Sequence, residues 1–281
     1  INADYKKMDP EEFKGILNEG GSILGNSRQP FKKINDYDKS GNTKVQLMIN
    51  NYNEMKLDCL VVLGGNGSHK TANLLREKGL NVVTLPKTID NDINGTEMTF
   101  GFQSAMDIAT KTLEQLHTTA KTHKRIIIDE IMGNKAGWLT LYSGLAGEAD
   151  IILIPEIPYS IDKVEQFINK KIKEGRRHIM IAAAEGIISQ EEAKLPKKEL
   201  KQKRKEENYT SAAKYLEKKL SGRIDREIRA VVPGHIQRGG SPNSFDKALT
   251  LQLGSKAAEL ILNKKYGRMV AVVNNKITSV P

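Results

Sequence analysis

The chain has 281 residues, of which 38% are hydrophobic and 28% charged, and its formal net charge at pH 7 is +10. This composition is typical of a soluble globular protein, and no apolar run approaches the roughly 20 residues of a transmembrane helix. The single cysteine, Cys59, cannot form an intrachain disulfide, and the first residues have no signal-peptide character. We therefore predict a cytoplasmic protein that binds no membrane.

The predicted elements alternate along the chain between strand-like and helix-like segments. The apolar runs predicted as strands are 57–63, 81–85, 125–131, 149–154, 178–183, 228–232 and 269–273. The segments predicted as helices are 69–77, 105–121, 138–146, 161–173, 212–219 and 245–262. This alternation predicts an α/β fold with mainly parallel sheets flanked by helices.

Much of the excess positive charge lies in a basic insertion, residues 190–210. Its stretch 194–208 carries seven Lys or Arg residues and three glutamates. A basic surface attracts polyanions, but this segment has no interleaved aromatic residue before Tyr209 and no base-reading motif. We expect a solvated surface insertion and no nucleic-acid binding.

Polar or glycine-rich clusters follow the ends of five predicted strands. They lie at 64–68, 87–92, 132–137, 184–186 and 234–240. Ligands of open α/β sheets bind outside the carboxyl ends of the strands, so we predict one composite site. It would contain a phosphate cradle, two carboxylates, a glutamate, a histidine and an arginine.

Two of these clusters indicate phosphate chemistry. The turn at 64–68, with the sequence Gly-Gly-Asn-Gly-Ser, offers backbone N–H groups to an anion at the start of a helix. In the segment 87–92, Asp90 and Asp92 lie two residues apart. Such a pair of carboxylates can divide proton abstraction and metal binding between its members.

These motifs resemble those of the phosphofructokinase family. The turn 64–68 is similar to its nucleotide-phosphate turn, 88–92 to its catalytic loop and 234–242 to its sugar-phosphate loop. The likeness runs from 20–28 through Arg268, with the motifs in the family's order. It implies two Rossmann-like lobes with an active site in the cleft between them. It also implies transfer of the γ-phosphoryl group of ATP to the 1-hydroxyl of fructose 6-phosphate, with Mg²⁺ as cofactor.

The resemblance also divides the chain by function. Residues 1–123 would form the phosphate-donor lobe, 124–245 the fructose 6-phosphate lobe with the basic insertion, and 246–281 would return toward the first lobe. Relatives begin with a further strand and glycine-rich turn and continue beyond the last predicted strand. We therefore expect both ends of this chain to lack parts of the family fold.

On the catalytic side, the resemblance implies that Asp90 is the base, with Thr88 and Arg28 acting on the transferring phosphoryl group. The implied nucleotide-binding residues are Arg28, Gly65, Asn66, Gly67 and Ser68. The implied metal positions are Asn66 and Asp92. Asn66 replaces the usual family aspartate, so we expect weaker metal binding or more reliance on Asp92. Turn-forming or capping roles are the alternatives for both aspartates.

On the acceptor side, the resemblance implies a larger set of substrate-binding residues: Asp92, Met132, Gly133, Glu185, His235 and Arg238. Arg125 and Arg229 match arginines that reach the 6-phosphate of a neighbouring subunit's substrate. A homo-oligomer, a tetramer or a dimer, with shared active sites is implied; strand-end surface charges are the alternative. Asn134 replaces a common family arginine, which removes a cation near the substrate.

The choice of phosphoryl donor depends on Gly67 and Lys87. In pyrophosphate-using branches an aspartate commonly takes the place of Gly67, together with a lysine like Lys87. Gly67 leaves that space open for a nucleotide, so we favour ATP. A pyrophosphate-dependent phosphotransferase is one alternative; a catalytically weakened regulatory protein that binds sugar phosphate or nucleotide, suggested by Asn66 and Asn134, is the other.

Overall fold

A computed structural model describes residues 4–26, 30–37 and 41–281 of the chain. The chain forms two compact units. The first comprises Ile1–Thr88, Asp92–Gly101 and Gly240–Pro281, and the second comprises Ile89–Asn91 and Phe102–Gly239.

The helices of the described residues, in chain order, are α1 Lys44–Glu54, α2 Asn66–Glu77, α3 Phe102–His123, α4 Trp138–Ala146, α5 Ile161–Lys173, α6 Gln190–Ala193, α7 Lys197–Glu206, α8 Ala212–Leu220 and α9 Ser244–Leu262. The strands are β1 Leu60–Gly64, β2 Val82–Thr88, β3 Phe100–Gly101, β4 Ile126–Ile131, β5 Ile151–Leu153, β6 Ile179–Ala184, β7 Ile228–Val231, β8 Arg268–Val273 and β9 Lys276–Val280. Short 3₁₀ turns occur at Pro10–Phe13, Ile16–Asn18, Phe31–Lys33 and Gly234–Arg238.

All the strands and helices predicted from the sequence are confirmed, with ends that differ by a few residues. Helices α4 and α5 have the predicted bounds. Helices α1, α6 and α7 and strands β3 and β9 were not predicted. The division by packing also differs from the functional division at residue 123. Helix α3 lies in the second unit because it packs against α4, β4 and β6 there.

The sheet of the first unit has the order β1-β2-β8-β9, and β3 also pairs with β2. All pairs are parallel except β8 with β9. Side chains alternate between the faces of a strand, so Val82 joins the core beneath α2, whereas Val83 and Leu85 join the core beneath α9. Both faces of β2 are therefore covered, and its residues 82–86 are all buried.

The sheet of the second unit is parallel throughout, in the order β5-β6-β4-β7. Ile126 and Ile128 of β4 join a core that includes Ile168 of α5 and Leu216 of α8. Every residue of β6 is buried. The predicted α/β class, with mainly parallel sheets flanked by helices, is confirmed.

The basic insertion is folded and anchored, and it is not only a solvated segment. Its Arg204 donates from Nε and Nη2 to the carboxylate of Glu192, at 2.7 and 3.1 Å, and from Nη2 to the carbonyl of Ile187 at 3.0 Å. Glu192 is 2% exposed and caps α6 together with Ser189. The lysines of α7 remain mostly exposed. Among the described residues, no helix is both long and apolar enough to cross a bilayer.

Candidate active site

The glycine-rich turn joins β1 to α2 in the first unit. Gly65 occupies the N-cap position of α2, and no side chain caps the helix there. The first N–H groups of a helix lack intrahelical partners, so this end can bind an anion. Gly64 is required because a Cβ atom there would lie 2.2 Å from Ser68 Oγ. His69 Nε2 lies 3.1 Å from the Gly64 carbonyl, and burial lowers the pKa of this imidazole.

Gly67, in the first turn of α2, is exposed. A Cβ atom added there would meet no heavy atom within 4 Å. The position is helical and its φ is not positive, so backbone conformation does not require glycine. Packing within the described residues therefore leaves room for a side chain at this place.

The acidic loop follows β2. The carbonyl of Thr88, the last residue of β2, accepts a hydrogen bond from the buried Thr99 hydroxyl at 2.7 Å. A Cβ atom on Gly65 would lie 3.6 Å from Thr88 Cβ, so the glycine turn passes close to the end of β2. Lys87 and Asp90 are half-buried. Asn91 has a φ of 50°, a left-handed conformation that asparagine tolerates better than most residues.

Asn66 and Asp92 join the glycine turn to the acidic loop. Asn66 Nδ2 donates to Asp92 Oδ2 at 2.7 Å and to the Asp92 carbonyl at 3.1 Å. A carboxylate and an amide oxygen are donors of the type that Mg²⁺ prefers, and Mg²⁺ commonly takes only one or two carboxylates together with phosphate oxygens. Asn66 turns its amide nitrogen toward Asp92, so the Asp92 carboxylate is the ligand that the pair presents, and it would fit Mg²⁺ together with phosphate oxygens.

In the second unit, Met132, Gly133 and Asn134 form a tight turn after β4. Gly133 has a φ of 139°, and a Cβ atom there would lie 2.5 Å from the carbonyl of Ala136. Glu185, directly after β6, accepts the backbone N–H groups of Gly133 and Asn134 through Oε1, at 3.1 and 2.6 Å. The structure thus brings Glu185 and the Met132–Gly133 backbone together.

The turn Gly234–Arg238 follows β7 and carries His235 and Arg238, both exposed. Between them, Gln237 is 1% exposed, and its amide bonds to the backbone at the end of β4. His235 and Arg238 are therefore held on a turn that contacts the loop containing Met132.

Arg125 and Arg229 lie at the opposite edge of this sheet. Arg125 precedes β4 and Arg229 is near the start of β7, whereas Met132 follows the end of β4, which is about 20 Å long at ~3.3 Å per residue. Both arginines form ion pairs with Glu227. The contact with Arg125, more than that with Arg229, lowers the pKa of the Glu227 carboxyl. Within the second unit of one chain, these arginines lie at the other end of β4 from Met132.

One candidate residue, Arg28, lies outside the described residues. Three supporting residues were missed from the sequence: His69, Gln237 and Glu156, whose Oε1 accepts the N–H of Gly137 at 2.8 Å. The sequence signal for Gln237 was its place between two predicted ligands, His235 and Arg238. No comparable signal marks His69 or Glu156.

Comparisons with known proteins agree with these motifs. The family model described as Phosphofructokinase matches residues 1–261. The ATP-dependent 6-phosphofructokinase of Spirochaeta thermophila is 45% identical over 284 residues, covering 100% of this chain and 78% of that protein. The ATP-dependent 6-phosphofructokinase 3 of Bacteroides thetaiotaomicron is 42% identical over 285 residues, with the same coverage.

A solved structure shows the same fold. The phosphofructokinase from Saccharomyces cerevisiae matches with a TM-score of 0.81 and 29% sequence identity, over 98% of this chain and 38% of the yeast chain. The chain spans less than half the length of that yeast protein. Family model, curated relatives and solved structure agree, and the chain belongs to the phosphofructokinase family.

Proposed function

We propose that this chain is an ATP-dependent 6-phosphofructokinase of glycolysis. It would transfer the γ-phosphoryl group of ATP to the 1-hydroxyl of fructose 6-phosphate and yield fructose 1,6-bisphosphate. The observation that carries this proposal is the contact of the glycine turn with the acidic loop, through the hydrogen bonds from Asn66 to Asp92. That contact joins an anion-binding helix end to a carboxylate. The names of the two bacterial relatives support ATP as donor.

The donor site in this proposal is the N-terminus of α2. The N–H groups of Gly65, Asn66, Gly67 and Ser68 would bind phosphate oxygens, favoured by the positive end of the helix dipole. Arg28 would add a cation. Asp92, with Asn66, would hold Mg²⁺, which when bound neutralises charge on the phosphate oxygens.

Asp90 is the proposed catalytic base. Its carboxylate would take the proton of the 1-hydroxyl as that oxygen attacks the phosphoryl group, an effect worth about 10²–10⁴ in rate. Thr88 would hydrogen-bond the transferring group, because a hydroxyl can donate to an oxygen that gains negative charge.

The acceptor site in this proposal is built on the second unit. Glu185 uses Oε1 for the Gly133 and Asn134 N–H groups, and we assign its Oε2 to the hydroxyls of the sugar. The backbone of Met132 and Gly133 would bind the sugar as well. His235 and Arg238 would bind its phosphate.

Arg125 and Arg229 lead us to propose a homo-oligomer, a tetramer or a dimer. Two arginines around one glutamate form a cationic cluster at a sheet edge distant from Glu185. The 6-phosphate of a neighbouring subunit's substrate would be the anion that this cluster binds, so that active sites are shared between subunits.

Lys87 supports one alternative, a pyrophosphate-dependent fructose 6-phosphate 1-phosphotransferase. Gly67 opposes this alternative, because the space beside it is open and no carboxylate there would repel the α-phosphate of ATP. Asn66 and Asn134 support the other alternative, a catalytically weakened protein that binds sugar phosphate or nucleotide.

One assay separates the three functions. The protein is incubated with fructose 6-phosphate and Mg²⁺, with ATP or pyrophosphate in separate tubes, and fructose 1,6-bisphosphate is measured. We expect product with ATP. Product only with pyrophosphate would establish the first alternative, and product with neither donor would favour the binding protein.

A further inference from the structure

The parallel pairing of β4 with β7 lacks the backbone hydrogen bond that would come next along the two strands. The register runs from Ile126 opposite Ile228 to Asp129 opposite Val231, and the Ile126 N–H donates to the Glu227 carbonyl at 3.0 Å. In a parallel ladder of this register, the carbonyl of Glu130 would accept the N–H of residue 233. Residue 233 is Pro233, which has no N–H to donate.

The side chain of Gln237 supplies the missing bonds. Its Nε2 donates to the Glu130 carbonyl at 3.0 Å, and its Oε1 accepts the Met132 N–H at 2.9 Å. A carboxamide has the donor and acceptor of a peptide group, so it replaces the backbone of a residue opposite Ile131. Gln237 is 1% exposed, so water cannot readily make these bonds in its absence.

We propose that Gln237 is a positioning residue for the sugar-phosphate acceptor, a role that rests on the proposed function. Its two neighbours on the same turn, His235 and Arg238, are proposed phosphate ligands. Its partner Met132 begins the loop that the sugar would contact. The single amide therefore fixes the distance between the two halves of the acceptor site.

The effect of Gln237 is local. Glu185 holds the Gly133 and Asn134 N–H groups independently, and β4 keeps its complete pairing with β6 from Ile126 to Ile131. Loss of the amide would leave the Glu130 carbonyl and the Met132 N–H, both on half-buried residues, without this partner and allow the two loops to separate. A displacement of ~1 Å at a reacting group can cost about 10²-fold in rate, so a small movement is sufficient.

Gln237→Leu tests the proposal, with Gln166→Leu on the exposed face of α5 as matched control. We expect Gln237→Leu to raise the KM for fructose 6-phosphate about tenfold or more, with the KM for ATP within about twofold of the parent value. Gln166→Leu should change neither. An unchanged KM for fructose 6-phosphate, or equal rises for both substrates, would overturn the positioning role.

Gln237→Glu adds a readout that a general packing defect would not give. A protonated carboxyl can donate to the Glu130 carbonyl and accept from Met132, whereas a carboxylate can only accept. We therefore consider the ratio of the KM for fructose 6-phosphate of this variant to that of the parent. We expect this ratio to approach one as the pH falls from 8 to 5. A ratio that is independent of pH would contradict the proposal.

A failure of the proposed function would be distinguishable. In that case the parent protein makes no product with either donor, and calorimetry with fructose 6-phosphate replaces the kinetics. Hydrogen exchange at the Met132 amide then decides whether Gln237 positions the loop: we expect faster exchange in Gln237→Leu than in the parent. Equal exchange would refute the inference whatever the activity.

Discussion

The side-chain amide of Asn66 donates to both the carboxylate and the backbone carbonyl of Asp92, at 2.7 and 3.1 Å. A neutral amide therefore lies at the position where an aspartate at residue 66 would place its carboxylate against that of Asp92. Like charges at such a distance repel unless a cation lies between them. The pair is thus stable without metal, and it offers a metal only one negative charge.

Asn66→Asp should make the protein depend on Mg²⁺. Without Mg²⁺ we expect a loss of about 1 kcal/mol in the free energy of unfolding, because a hydrogen bond is replaced by repulsion. Added Mg²⁺ should then raise the melting temperature more than it does in the parent, in the absence of nucleotide. Asn66→Ala is the control, since it loses the hydrogen bond without adding charge. An equal response of both variants to Mg²⁺ would argue against metal binding here.

Asp90→Ser tests the proposed base. The kcat should fall about 10²–10⁴-fold, because the hydroxyl loses its proton acceptor, while binding of fructose 6-phosphate measured by calorimetry stays close to that of the parent. Asp225→Ser, at an exposed position of the second unit, should retain full kcat. Turnover retained by Asp90→Ser would remove this residue from the base role.

Gly67→Asp tests the choice of donor. The backbone accepts a side chain here, and a carboxylate in the first turn of α2 is favoured by the helix dipole, so the melting temperature should not fall. The KM for ATP should rise about tenfold, a ~1.4 kcal/mol penalty for a carboxylate near the α-phosphate. Gly67→Asn has nearly the same size without the charge. If both variants raise the KM equally, crowding and not charge determines the effect.

The sequence was sufficient to predict the strands whose buried side chains form apolar runs. Strand β6 is covered on both faces and all six of its side chains are apolar, so the loop after it was recognisable by contrast. Strand β4 is apolar except at Asp129 and Glu130. The candidate site was therefore predictable up to the loops that carry it. Glu185 was placed correctly after β6, whereas its contact with the loop containing Met132 was learned from the structure.

The rest depended on contacts that have no local pattern. Helix α7 has one leucine among charged and amide side chains, so its sequence shows no apolar period that would predict a helix. Its attachment to the rest of the unit depends on the pairing of Arg204 with Glu192. The bonds of Gln237 follow from the absence of an N–H at Pro233, which is meaningful only when the strand register is known. Pairing of Arg125 with Glu227, 102 residues along the chain, required the β4–β7 alignment in the same way.

Arg204→Ala should destabilise the second unit. The side chain of Glu192 is 2% exposed, and removal of its partner leaves a buried charge, for which we expect a loss of about 3 kcal/mol in the free energy of unfolding. Lys205→Ala, on the exposed face of the same helix, should change it by less than about 0.5 kcal/mol. Urea denaturation of both variants provides the comparison. Similar urea midpoints for the two variants would mean that the pairing of Arg204 with Glu192 does not stabilise the second unit.

We expect Asp129 to make the free energy of unfolding decrease as the pH rises. This residue of β4 is fully buried, and within the part of the chain that the structure describes neither carboxylate oxygen has a hydrogen-bond partner. Burial, and secondarily the charge of Glu130, raises the pKa of Asp129 from 3.8 to about 8. Between these two pKa values the folded protein keeps a proton that the unfolded chain releases. The free energy of unfolding therefore decreases by about 1.4 kcal/mol per pH unit.

Asp129→Asn removes this dependence, because a carboxamide of the same shape cannot ionise. We expect the variant to be more stable than the parent, by a margin that grows from pH 5 to pH 8 and then becomes constant. Urea midpoints at each pH measure the margin, and Asp225→Asn at the exposed position should show none. A margin that is constant across this range would show that Asp129 is ionised in the folded protein, with its charge compensated there.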